Sequence, residues 1–313
     1  MKEIGEYFGL ELKKGNDYYP NAIALDFGRS ALRYIIRVYK IKEIYIPYYT
    51  CYVVWKTALA EGVKVKFYRI NDDLLPSDDL PKDAFVIYTN YFGLSFDKVC
   101  FMAQKYNHLI VDNAQSFFAT PATGFASFNS PRKFIGVPDG AYLFCDRKIN
   151  EHLDTDTTSW ERCSHLLKKI DLGTDAAYAE FQAHDNPPLT KTIKRMSNLT
   201  KKLLASVNYQ HIKKQRLANF SCLHDALHNV NKMRLPVPNE NNIPMIYPLL
   251  IENATTVRRK LFDNQIYTAV FWGNYPPSYY ESYLRNSLIP LPLDQRYNCR
   301  DMENIAKLVI NNQ

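Results

Sequence analysis

Residues 109–116, LIVDNAQS, decide how this chain is read. Leu109 to Val111 form a short apolar run that ends on the carboxylate of Asp112, with the amide of Gln115 three residues later. A run of this kind, stopped by polar residues, predicts a buried strand. Upstream the pattern repeats. Glu43 to Pro47 (EIYIP), Lys64 to Ile70 (KVKFYRI) and Ala84 to Thr89 (AFVIYT) read as strands. Ser30 to Tyr39, Val53 to Ala60 and Asp97 to Tyr106 read as helices, the first with Leu32, Ile35, Ile36 and Tyr39 at helical spacing. Strand and helix in alternation predict an α/β fold with a mostly parallel central sheet and helices on both faces. In such sheets ligands bind at the carboxyl ends of the strands, which is where Asp112 stands.

Downstream, Gly124 to Phe128 and Gly140 to Phe144 read as two more strands joined by the polar stretch NSPRKFIGVPD. Glu151 to Pro188 lacks periodicity and ends on the breakers Asn186, Pro187 and Pro188. The reading therefore divides the chain into a large domain, 1–188, and a second part, 189–313. That part holds a linking helix and a smaller α+β domain, with strands at Met245 to Ile251 and Thr268 to Trp272 and a terminal helix from Asp301 to Ile310.

With 313 residues, 46% of them hydrophobic, the chain can build a substantial core, which excludes disordered, collagen-like and small disulfide-stapled classes. No apolar run approaches the roughly 18 to 20 residues of a spanning helix, and the opening MKEIGEYFGLELKKG lacks a secretory layout. A cytoplasmic protein without membrane insertion is expected. The six cysteines (51, 100, 145, 163, 222, 299) form no C-x-x-C pair and are expected to be reduced and mostly buried. The seven histidines show no ligand spacing, so no metal is expected. Lys and Arg outnumber Asp and Glu by 39 to 32, a formal charge of +7 that favours anionic ligands. Eight of those bases lie between Asn186 and His224, a span without an acid. Leu199, Leu203, Leu204 and Val207 interleave with them, so the span reads as one long helix with a solvated basic face, and no nucleic-acid partner is expected.

Three pieces carry chemistry. Asp26-Phe27-Gly28-Arg29-Ser30-Ala31 places a glycine at a helix start, where a bare backbone, free N–H groups and the helix dipole suit an anion. Asp112, at a strand end, suits a heterocyclic N–H⁺. Lys133, between Arg132 and Phe134-Ile135, either snorkels beside Arg132 or is partly desolvated by its apolar neighbours, which would free an amine for a Schiff base. Weaker candidates are Asn90, Tyr91 and Gly93 at the end of AFVIYT, and Arg296, which suits a substrate anion or a salt bridge with Asp294 or Asp301.

In order and spacing these pieces resemble the fold type I pyridoxal-phosphate enzymes. VDNAQS followed by ASFNSPRKFIGVPDGAYL looks like the DegT/DnrJ/EryC1/StrS family of sugar aminotransferases. The resemblance implies pyridoxal 5'-phosphate (PLP) as cofactor, with Lys133 as its covalent and proton-carrying residue. Asp112 pairs with the pyridinium nitrogen, Gln115 lies near the ring oxygen, and Gly28, Arg29 and Ser30 cradle the phosphate. It also implies a homodimer that takes a keto-sugar nucleotide and an amino-acid donor, glutamate by preference, in polysaccharide or deoxysugar synthesis. Departures from the family pattern leave two positions open. The phosphate serine is Ser127 or Ser130, six and three residues before the lysine, and the ring-stacking aromatic is Tyr52 or Tyr49, because Cys51 follows Pro47-Tyr48-Tyr49-Thr50. The family's G-x-N-x-R-M segment survives only as Arg195-Met196-Ser197, and the chain is short. The alternatives are a degenerate binding or scaffold protein, or a PLP lyase or dehydratase. A lysine at 133 speaks against the dehydratases that carry histidine there, and against a scaffold.

Overall fold

In this computed structural model residues 4–5, 7–120, 124–185, 190–273, 276 and 278–313 are described. The first half forms β1 (Ile23–Leu25), α1 (Gly28–Tyr39), β2 (Glu43–Pro47), α2 (Tyr52–Ala60), β3 (Lys64–Tyr68), β4 (Phe85–Thr89), α3 (Phe96–Lys105), β5 (His108–Asn113), β6 (Ala126–Asn129) and β7 (Ala141–Phe144). These strands make one seven-stranded sheet of order β1-β7-β6-β5-β4-β2-β3. Neighbouring strands from β3 to β6 pair in parallel, and β7 runs antiparallel to both β6 and β1. The expected α/β architecture is met.

Because strand side chains alternate between faces, the apolar runs are shared between two cores. Ile44, Ile87, Ile110, Ala126 and Phe128 pack under α1 and α2. Val86, Tyr88, Leu109 and Val111 face the other way, toward α3 and the C-terminal part. That part comprises α4 (Ser164–Asp185), α5 (Asn198–Ala205), α6 (Tyr209–Leu227), β8 (Tyr247–Leu250), α7 (Ala254–Asp263), α8 (Tyr280–Ser287), β9 (Leu288–Leu291) and α9 (Cys299–Ile310). Both halves thus cover hydrophobic strands that would be costly to leave in water.

Four expectations are corrected. Thr268 to Trp272 is not a strand; β8 pairs antiparallel with β9, and Phe271 and Trp272 pack against the core instead. Pro290, which cannot donate to a ladder, lies inside the short run LIPL and hides the true partner strand. The aperiodic stretch after Glu151 contains α4, interrupted at Gly173 (φ 81°), whose apolar residues Leu167, Ile170 and Tyr178 point outward rather than along one buried stripe. The basic span forms two helices, each with an N-cap side chain of its own at Ser197 and Asn208. Finally, Cys222 on α6 is disulfide-bonded to Cys299 on α9, with Cα atoms 5.8 Å apart, and the four free cysteines are half-buried rather than buried. A pair 77 residues apart leaves no C-x-x-C signature in the sequence.

Candidate active site

Parallel β4, β5 and β6 end side by side. Register pairs Thr89 with Asp112 and Asp112 with Phe128, so these side chains share the α1 face of the sheet. Asp112 is 5% exposed. Its Oδ1 accepts the Ala114 N–H at 2.9 Å. Burial pushes its carboxyl up to about 6, against the pull of that N–H and of the Lys133 charge. A cation placed against so deeply buried an acid would offset the cost of its burial.

Lys133 ends the short 3-10 turn Pro131–Lys133 that follows β6. It is exposed, while Phe134 beside it turns into the core. The expectation that Phe134 and Ile135 desolvate the amine is therefore corrected: at the mouth of the strand ends, the apolar neighbours face inward and the lysine outward.

α1 begins over the same face, with Phe27 as an N-cap residue that gives no side-chain cap. The N–H groups of Ser30 and Ala31 already donate to the Phe27 carbonyl, which leaves less of the first turn for an anion. The Ser30 hydroxyl is bonded to Asp26, a buried acid that is itself pushed up to about 6. A methyl group at Gly28 would meet the Phe128 ring at 3.6 Å, an ordinary contact, so packing alone does not require glycine there.

The remaining candidates separate cleanly. Gln115 is buried and its Oε1 accepts the Phe92 N–H at 2.8 Å, which fixes the amide and turns its nitrogen to the other side. Ser127 pairs with Val111 and so faces away from α1. Alternation along the extended backbone returns Ser130 to the Asp112 face, at the start of the lysine turn. Tyr49 is buried against Tyr91 and Trp272. Tyr52 opens α2, is 43% exposed, and lies within electrostatic range of Arg29. Asn90 and Gly93 shape the turn: Asn90 bridges Asn113 and Ser95, and a Cβ on Gly93 would come within 2.4 Å of the Ile243 carbonyl. Arg296 is held by two bonds to Asp294.

One residue escaped the sequence reading. The thiol of Cys51, the N-cap residue of α2, is in electrostatic contact with Lys133, Asp112 and Asp185. Its signal was its position, directly after Thr50. Among the described residues there is no cluster able to hold a metal, and no helix of the structure is long and apolar enough to cross a membrane.

The residues fit PLP: a buried acid at a strand end, an amine in its field, and a helix start on the same face. No protein-family model matches the chain, and no curated protein matches it by sequence. Solved structures do match. A DegT DnrJ EryC1 StrS aminotransferase from Brucella abortus aligns over 93% of this chain and 85% of its own, at 16% identity and a TM-score of 0.62. The sugar aminotransferase CalS13 from Micromonospora echinospora aligns over 94% and 88%, at 11% and 0.64. NtdA from Bacillus subtilis, solved with bound cofactor PMP, aligns over 92% and 73%, at 14% and 0.63. The chain has the fold type I architecture of these aminotransferases.

Proposed function

We propose that the protein is a PLP-dependent aminotransferase that moves an amino group from an amino acid, glutamate by preference, to a keto-sugar nucleotide. One observation carries this reading: Asp112 is a buried, under-compensated acid at the end of a central parallel strand, in the field of Lys133. When bound, PLP supplies an electron sink for the carbon that loses its proton. Asp112 would hold the proton on the ring nitrogen, where a cation repairs the cost of burying the carboxylate. Gln115 Nε2 would orient the ring oxygen, and the Gly28 and Arg29 amides with the Ser130 hydroxyl would bind the phosphate. Lys133 Nζ would hold the group and carry the proton at the reacting carbon. Tyr52 would be the aromatic beside the ring, with Cys51 near it, since Tyr49 is committed to the core.

The similarity of fold to sugar aminotransferases such as CalS13 supports the substrate class, and the arginines beside α1 suit a diphosphate. A homodimer, a cytoplasmic location and a role in surface-polysaccharide or deoxysugar synthesis belong to the same proposal. So does the two-domain division, supported by the placement of the large sheet within residues 23–144 and the small one within 247–291.

Mixing the purified chain with PLP tests the reading. A visible band that borohydride removes, that glutamate bleaches and that Lys133→Ala lacks is the expected result. A wild type without such a band refutes it and leaves a binding or scaffold protein.

A further inference from the structure

Three guanidinium groups crowd one aromatic ring at the start of α1. Arg29, Arg132 and Arg162 place their guanidinium carbons 4.8, 5.4 and 5.5 Å from the centre of the Phe27 ring. Arg132 is the residue before Lys133, and its side chain is only 16% exposed. Its charge is opposed by that of Arg162, and it opposes that of Arg29 in turn. A buried cation among like charges needs an anion.

The anion it has is the protein's own. Arg132 Nη2 donates to Asp185 Oδ1 at 2.8 Å, a single contact among the described residues from a fork that can give two. Asp185 is the last residue of α4, the end of a helix where a carboxylate is disfavoured by the backbone dipole. Its charge also reaches the Cys51 thiol, as do those of Lys133 and Asp112. Thus a carboxylate already stands over the reactive residues, held there by Arg132 against the preference of its helix.

Building on the aminotransferase reading, we propose that Arg132 is the receptor for a carboxylate of the amino donor, and that Asp185 is an internal carboxylate which the donor displaces. Arg132 is then a substrate-binding residue next to the lysine. The exchange is of like for like: one carboxylate leaves the guanidinium for water and another takes both of its N–H donors. Binding strengthens as the internal competitor weakens.

The test uses the PLP-loaded chain and L-glutamate, with the loss of the visible band giving an apparent Kd and a limiting rate. Arg132→Gln is expected to raise the apparent Kd at least about thirtyfold, the scale of a charge-assisted pair, with the cofactor held as tightly as before. Arg132→Lys recovers part of the loss, and Asp185→Asn lowers the apparent Kd by about threefold to tenfold, as removal of a competitor should. Glutarate, a dicarboxylate without an amine, is expected to follow the same order in calorimetry. A fall in cofactor affinity with an unchanged glutamate Kd in Arg132→Gln overturns the proposal, as does an unchanged Kd in both Arg132→Gln and Asp185→Asn. Should the wild type show no visible band, the aminotransferase reading falls; glutarate binding weakened by Arg132→Gln would still uphold the carboxylate receptor, and its absence would end it. Should Arg132→Gln fail to fold, the direction of change in Asp185→Asn decides.

Discussion

Arg216 on α6 and Asp112 on β5 are both buried ionisable residues, yet their surroundings differ in kind. Arg216 is 2% exposed. It donates to Gln295 and to the carbonyls of Pro244 and Met245, and it lies over the Phe134 ring at 4.5 Å. Three residues on, Asn219 gives its amide to the carbonyls of Leu293, Asp294 and Tyr297. The junction between α6 and the C-terminal strands is closed. At the carboxyl edge of β5 and β6, by contrast, Asp112 accepts one backbone N–H and Arg132 spends one donor among the described residues, and α1 begins over the same side. Satisfied buried polarity holds a fold together; unsatisfied buried polarity is where a ligand completes the molecule.

The sharpest test of that contrast removes the amine. Lys133→Ala should cut the glutamate half-reaction at least about a thousandfold, from lost covalent attachment and proton transfer together, while the thermal midpoint stays near wild type. The mirror experiment is Arg216→Met. It strands two carbonyls and Gln295 without their donor and should lower stability by roughly 3 to 5 kcal/mol in urea melts, and a small loss would erase the difference between the two regions.

A pH series comes next. Asp112 and Asp26 are raised from ordinary values to about 6 by burial, so the folded apo protein binds more protons than the unfolded chain between pH 4 and 6. The stability they lend is complete at the acid end of that window and is lost as pH rises through 6. For Asp112 the difference is worth about 3 kcal/mol or less, and Asp112→Asn should flatten the profile by that amount. Saturation with PLP should flatten it too, because a cation then balances the carboxylate.

Two smaller effects follow. Thiol titration of the chain purified without reductant should find four free cysteines of six after denaturation, and Cys222→Ser should cost about 2 kcal/mol under the same conditions. Six free thiols in protein taken from reducing cytoplasm would show α6 and α9 held by packing alone. Arg296→Ala, which breaks an exposed pair with Asp294, should change stability by less than about 1 kcal/mol and leave glutamate binding untouched.

Legibility followed the physics of each region. In the first half a buried parallel strand announces itself as an apolar run bounded by polar residues, and β2, β4 and β5 fall within a residue or two of their predicted limits. Asp112, Lys133 and Gly28 stand out in the sequence because the proposed chemistry restricts residue type and order. The C-terminal part offered less. α4 shows apolar residues to solvent, β9 carries a proline, and Cys222 meets Cys299 only after α6 and α9 have packed. Single-chain periodicity cannot report such meetings, because they depend on which faces are brought together rather than on spacing along one element.

The alternation of strand and helix, the acid at a strand end and the lysine in the following loop are written locally in the chain, since each is a short-range pattern of polarity. Packing alone sets that Ser127 and Ser130 face opposite sides, that Tyr49 is buried while the Cys51 thiol lies in the field of Lys133 and Asp112, that Lys133 is exposed, and that Arg132 holds Asp185 from a helix 53 residues on. Those facts rest on sheet register and on long-range packing. A side chain's partner is fixed by the face it is given, and the face is assigned only when the sheet and its covering helices close together.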